Sequence, residues 1–446
     1  MGAHRNPAPD GRRGGAQGAA ARRDRRRSQL GQGALSLARV LATAGALAAL
    51  VTAPAVAGEM AKVPPTGVQT CLTLDPKLDG WPTPQACADT GPLTLIPKQD
   101  GMPGTARPHY EAVAGYPLTS CVRDRASGLV WEGKPDSGKL HWMMTTFGPQ
   151  GTGTLLSTYG LQHEPAPGSR ANTDAYSYYG DARPGDAMAY VAQVNAMRLC
   201  GYADWRLPTV AELHGLVDLG GKTNPDLQLG LPLARHVIVD VRWFPNTVPG
   251  NYLTSEPDDQ SRIWCVNFIT GFVYSCNRRM ERKPQPLFIR LVRGAEPPET
   301  GRWHEAPDER GVPGGVVEDR HTGLAWRRCE EPQVWNGKRC TGTARGYNQV
   351  QALLLASRQQ GWRLPTIKEV NSLPERWFKK LDIPAADFPA SGAQLLRAGY
   401  RSSSVCGGSP ASSTARAALG GWVLGGGGDI YCEAWPARLG VRLVRE

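Results

Sequence analysis

The feature that most limits what this chain can fold into is one string that occurs twice. Trp205-Arg206-Leu207-Pro208-Thr209-Val210-Ala211-Glu212-Leu213 returns as Trp362-Arg363-Leu364-Pro365-Thr366-Ile367-Lys368-Glu369-Val370. A Thr three residues ahead of a Glu, just before an apolar run, is a capping box, in which each side chain accepts a backbone N–H at a helix start. Thr209 with Glu212, and Thr366 with Glu369, are therefore expected to open two equivalent helices, a structural role rather than a chemical one. The Pro holds the preceding Leu extended, so a strand-like Trp-Arg-Leu must pass into the helix through one fixed corner.

Flanking strings recur in the same order. Asp124-Arg125-Ala126-Ser127-Gly128-Leu129-Val130-Trp131 matches Asp319-Arg320-His321-Thr322-Gly323-Leu324-Ala325-Trp326, and Arg290-Leu291-Val292-Arg293 matches Arg442-Leu443-Val444-Arg445. Markers repeated in order imply a tandem duplication, and two long copies are too few for a solenoid, so two similar globular modules are expected. From Trp131 to Trp205 the numbering advances 74 positions, against 36 from Trp326 to Trp362, so the first copy carries a long insertion at 132–186. The expected organisation is a leader at 1–57, an irregular extension at 58–115, a first module at 116–293, a linker at 294–315 and a second module at 316–446. Apolar positions at Tyr190, Val191, Val194 and Met197 predict a helix ahead of the capped one. Each module then reads as α+β, with two helices and several short antiparallel strands.

Basic residues Arg22 to Arg27 precede an apolar stretch, Leu41 to Val56, that ends in Ala55-Val56-Ala57. This is the pattern of a signal peptide cleaved after Ala57, which predicts export to the periplasm, the cell surface or the medium. No later stretch approaches membrane-span length, so the mature form is expected to have no transmembrane span. The formal charge of +11 suggests nucleic acid at first sight. The leader, with nine Arg against Asp10 and Asp24, holds +7 of it, and no nucleic-acid partner is expected for the remainder.

Export gives the ten Cys their meaning, because an even count in an oxidising compartment reads as disulfides. Strands on either side of Thr270-Gly271 would set Cys265 opposite Cys276. Cys121 and Cys200 align with Val316 and Ser357 of the other copy, vanish together, and so are paired. Cys329 with Cys340 closes a loop over Trp335-Asn336-Gly337, Cys406 with Cys432 is left in the second module, and Cys71 with Cys87 staples the extension.

The markers, in combination, resemble those of the Lcl C-terminal domain family, a module of bacterial exported proteins. They stand at Asp124 to Trp131, Asp204 to Leu213 and Ile289 to Arg293, and again at Asp319 to Trp326, Trp362 to Val370 and Val441 to Arg445. The second copy departs at Gly361, where the pattern has Asp, and at Val370, where it has Leu. The Arg-Leu-Pro-Thr-x-x-Glu corner is also similar to that of the formylglycine-generating enzymes, which implies a C-type-lectin-like fold for each module. That family's catalytic Cys pair has no counterpart here, so its activity is not implied. The collagen-like adhesin that gives the Lcl family its name binds sulfated glycans, so the resemblance implies adhesion or glycan binding.

The eight His are scattered, and no metalloprotease helix motif or nucleophile elbow occurs, so neither enzyme activity nor a cofactor or metal is expected. Glu256-Pro257-Asp258 ahead of Trp264-Cys265-Val266-Asn267 is faintly similar to the calcium and sugar ligands of C-type lectins, but a plain surface turn is the preferred reading. A ligand surface is expected in the insertion, where Trp142, Tyr176, Tyr178 and Tyr179 offer rings to sugars. The chain therefore reads as an exported, non-enzymatic binding or adhesion protein for a surface glycan. The alternative is an envelope-associated structural protein that holds a protein partner, and an enzyme related to the formylglycine-generating family is the least favoured reading.

Overall fold

The computed structural model describes residues 63–74, 82–88, 94–102, 110–134, 187–220, 237–247, 249–258, 262–277, 287–294, 301–377, 380–389, 399–406 and 420–446. The leader and the insertion residues Trp142, Tyr176, Tyr178 and Tyr179 lie outside them.

The extension, expected to be irregular, forms a three-stranded antiparallel sheet of β1 (Thr70–Leu74), β2 (Pro82–Ala86) and β3 (Thr94–Leu95), with β1 central. Two side-chain devices replace the missing apolar periodicity. The Cys71–Cys87 bond ties β1 to the end of β2, and the Gln99 amide stands in for a strand by accepting Leu72 N–H and donating to Leu72 O, each at 2.8 Å. Proline-bearing β2 sits at an edge, where a missing N–H is tolerated.

The first module runs β4 (Tyr110–Ala112), β5 (Cys121–Asp124), β6 (Val130–Glu132), α1 (Ala187–Ala196) and α2 (Val210–Gly215). It continues with β7 (Asn251–Pro257), β8 (Arg262–Asn267), β9 (Val273–Asn277), β10 (Leu287–Phe288) and β11 (Val292–Arg293). The second runs β12 (Trp303–Ala306), β13 (Val316–Asp319), β14 (Ala325–Arg327), β15 (Val334–Trp335), β16 (Cys340–Thr341), α3 (Gln349–Ser357) and α4 (Ile367–Ser372). Then come β17 (Glu375–Trp377), β18 (Lys380–Asp382), β19 (Tyr400–Cys406), β20 (Gly420–Leu424), β21 (Ile430–Ala434) and β22 (Val444–Arg445). Among the described residues no helix is long and apolar enough to cross a membrane.

The copies build the same parts. The sheet β11-β6-β5-β4 of the first has its counterpart in β22-β14-β13-β12 of the second. The edge strands β4 and β12 come from the expected extension and linker. Strands β7 to β9 correspond to β19 to β21, and all six join one seven-stranded sheet in the order β10-β7-β8-β9-β21-β20-β19. It is continuous because β9 pairs antiparallel with its own counterpart β21, Val273 facing Ile430. On the same seam α2 packs against its counterpart α4. Like meeting like across a line is the geometry of a twofold dimer, here within one chain.

The core follows that geometry. The largest buried cluster mixes both copies, with Trp131, Val210, Leu213, Trp264 and Val273 from the first and Trp326, Ile367, Val370, Trp422 and Ile430 from the second. Two satellite clusters are local. One lies under α1 and includes Val191, Trp205 and Leu253; the other lies under α3, includes Leu353, Trp362 and Val405, and takes in Leu72 and Ile96 of the extension. The four marker tryptophans, Trp131, Trp205, Trp326 and Trp362, are all buried, as expected of large aromatics beside aliphatic residues.

All ten cysteines are paired: Cys71–Cys87, Cys121–Cys200, Cys265–Cys276, Cys329–Cys340 and Cys406–Cys432. The reason given for Cys265–Cys276 needs correcting. Tyr274, not Cys276, stands opposite Cys265, so the bridge runs diagonally. The turn is longer than two residues, with Gly271 N–H donating to Asn267 O.

Candidate ligand-binding site

The markers of the two copies make one frame, bond for bond. Thr209 and Thr366 are helix N-caps whose hydroxyls accept the N–H of Glu212 and Glu369, while the Thr209 and Thr366 N–H groups donate to those carboxylates at 2.8 and 2.7 Å. Each carboxylate also takes both ends of the motif Arg, at 2.8 and 2.7 Å from Arg206 and at 2.7 Å twice from Arg363. The Arg backbones exchange hydrogen bonds with Val292 and Val444 of the closing strands. The corner is thereby locked to the end of its module. These four capping residues are structural.

Other markers resolve the same way. Asp124 accepts Ala126 N–H and the Ser127 hydroxyl, and Asp319 accepts His321 N–H and the Thr322 hydroxyl. Gly128 and Gly323 follow at φ 73° and 75°, the left-handed conformation that favours glycine. Arg290 and Arg442 are buried; their guanidiniums lie over Phe244 and Phe388 and donate to the carbonyls of Glu132 and Arg327. Where the second copy departs, the chemistry changes too. Asp204 grips Arg293 in a bidentate pair that holds the carboxyl below its ordinary pKa, whereas Gly361 has φ 73° and Arg445 lies over the Trp362 ring instead.

Glu256-Pro257-Asp258 is not the plain surface turn expected: Glu256 and Pro257 close β7, and Asp258 is buried, because the fold uses both carboxylates. The Glu256 carboxylate accepts Val210 N–H at the start of α2, and Asp258 accepts the Ser275 hydroxyl and pairs with Arg262. Its counterpart in the second copy is Ser404, which accepts Ile367 N–H at 2.9 Å. Among the described residues no group of three or more His, Cys, Asp or Glu side chains is placed to hold a metal ion.

One difference between the copies is the stretch that leaves the Gly-Leu-x-Trp strand. After β6 comes Lys134, wholly buried, with its ammonium on the Glu132 carboxylate and 3.2 Å from the Tyr190 hydroxyl; burial lowers its pKa to about 8 against the attraction of Glu132. This sealed group anchors the chain at the doorstep of the insertion. After β14 comes a disulfide-closed hairpin, β15–β16. Its Trp335 is fixed from several sides: the indole N–H donates to Pro313 O at 2.9 Å, Arg310 donates to Trp335 O at 2.7 Å, and the Arg328 guanidinium lies 4.5 Å over the ring. Val334 beside it is 44% exposed, and Asn336 to Arg339 at the tip are exposed as well.

A groove of about 200 Å³ opens between this hairpin and the 308–310 loop, floored by Arg327, Gln333 and Gln359 and walled by Asp308, Val334 and Trp335. It is smaller than the roughly 300–1,000 Å³ of drug-sized sites. Its charges are prepaired: Arg327 with Glu309 and Glu331 at 2.8 Å, and Arg310 with Asp308. Burial acts to raise the Asp308 pKa, but the Arg310 side chain and the Val312 and Arg310 N–H groups outweigh it and hold the carboxyl below its ordinary range. With its charges already paired, the groove leaves room only for a small group. The expected ring cluster of the insertion, Trp142, Tyr176, Tyr178 and Tyr179, lies outside the described residues. The groove itself had one sequence signal, the Cys329–Cys340 spacing around Trp335; nothing marked Asp308, Gln333 or Gln359.

The chain is thus a disulfide-stabilised α+β protein that builds one module frame twice. The family is settled by the match itself: the chain belongs to the Lcl C-terminal domain family, which it matches over residues 120–293 and 315–445. Among curated proteins and solved structures the chain has no match.

Proposed function

We propose that this chain is an exported, non-enzymatic binding or adhesion protein that recognises a surface glycan with the segments following β6 and β14. One observation supports the reading most directly. The capping corner and its closing strand repeat hydrogen bond for hydrogen bond in the two copies, while the segment after the Gly-Leu-x-Trp strand differs, a long insertion in one and a disulfide-closed hairpin in the other. A fixed frame with divergent loops is how scaffolds carry recognition. On this reading each module is C-type-lectin-like, Trp335 and its groove form one contact, and Trp142, Tyr176, Tyr178 and Tyr179 form the other.

Binding of the exported chain to arrayed neutral and sulfated glycans tests it. Trp335→Ala and the double change Tyr178→Ala, Tyr179→Ala should each weaken binding at least tenfold with unfolding unchanged. Glycan binding indifferent to both would defeat the assignment. Co-purification of one protein partner with no glycan retained would favour the envelope-associated alternative, to which the exposed Val334 would contribute.

A further inference from the structure

Nothing covalent except the chain itself joins the two copies, since each of the five disulfides lies within the extension or within one module. Yet the contacts between the copies resemble those inside them. Val273 pairs with Ile430, Phe272 packs edge-on against Trp422 at 5.7 Å, and Lys368 of α4 donates to Gly215 O at the end of α2 at 2.8 Å. Residues 63–74 and 94–102 lie across the seam and hold both sides. Thr66 O accepts Leu219 N–H at 2.8 Å in the first copy, while Lys98 donates to Trp362 O at 2.9 Å and Pro65 O accepts from Lys368 at 2.7 Å in the second. Asp100, buried, accepts the hydroxyls of Thr66 and Ser404.

We infer that the two modules are an internal dimer held by a self-complementary interface, with residues 63–74 and 94–102 as a strap over its seam, so that the connection through 295–300 is not needed to keep them together. Interfaces between independently folded domains of one chain are ordinarily polar and permit relative motion. Here a continuous sheet and a shared apolar core cross the boundary, which is the character of an obligate interface. The partner that this face fits is another module of the same kind.

The test cuts the connection in the folded protein. A specific protease site placed within residues 295–300 of the exported full chain is cleaved under native, non-reducing conditions. The expected result is two fragments on a denaturing gel that elute together at the mass of the uncut chain and unfold in one transition. Elution as separate folded fragments, or loss of structure on cutting, would overturn the inference. Hydrogen exchange on the unmodified protein is a second reading that needs no inserted site. The amides of α2, α4, Val273 and Ile430 should open with one common protection, and opening of one copy while the other stays protected by a hundredfold or more would also overturn it.

Discussion

Replacing Glu212 by Ala measures how much of the repeated corner is an ion pair and how much is a helix cap. The Glu212 carboxylate accepts two Arg206 N–H groups at 2.8 and 2.7 Å and Thr209 N–H at 2.8 Å, and the two side chains are only 11% and 17% exposed. Loss of one partner from a largely buried pair costs up to about 3–5 kcal/mol, well above the value of an exposed pair. Thr209→Ala removes only a cap bond of 3.2 Å, worth about 1 kcal/mol. Guanidinium unfolding followed by circular dichroism and tryptophan fluorescence should therefore place Glu212→Ala about 2–4 kcal/mol below Thr209→Ala. Glu369→Ala should behave alike, because Arg363 and Glu369 repeat the geometry. If Glu212→Ala costs no more than Thr209→Ala, the arginine clamp contributes nothing and the motif is a cap alone.

The remaining expectations follow from single groups. Removing Cys121–Cys200, which closes a separation of 79 residues, should cost about 4–5 kcal/mol, against about 3 kcal/mol for Cys265–Cys276 with its separation of 11, read as denaturation midpoints of double Cys→Ser variants. Lys134 has a folded pKa of about 8, below its ordinary 10.5, so the unfolded chain binds more protons between those values and this group makes stability rise with pH there. Stability measured from pH 7 to 10 should climb less steeply in Lys134→Met, and an unchanged slope would refute the assignment. Glu256→Ala should cost about 1 kcal/mol by removing the acceptor of Val210 N–H at the start of α2, and calcium should leave the melting temperature of the native chain unmoved, because Glu256 and Asp258 already have partners.

Much of this was legible in the residues because the information was local or repeated. Capping boxes are written within four positions, and repetition exposed the module frame and its closing strands without any knowledge of the fold. The cysteine pairs followed from spacing and from comparing the copies, although the diagonal path of Cys265–Cys276 depends on a turn length that Thr270-Gly271 did not reveal. The seam was not legible. Nothing in the string shows that β9 would pair with β21, because Val273 and Ile430 are ordinary strand residues whose partnership is set by the whole assembly. The sheet of the extension was missed for a related reason: Gln99 supplies strand-like bonds from a side chain, which no periodicity records. The groove combines positions from three stretches of the second copy and is likewise a product of folding.

A true pair of identical subunits must repeat every side chain on both sides of its axis, so a lysine that reaches across does so twice. One continuous polypeptide escapes that rule. Lys368 serves the carbonyl at the end of α2, while its mirror position is Ala211 and the corresponding carbonyl, Ser372 O, is served by Arg302 at 2.5 Å. Joining the copies in one chain thus lets charge be placed once where symmetry would have demanded it twice, and leaves each half free to change its own surface segments while the other stays as it is.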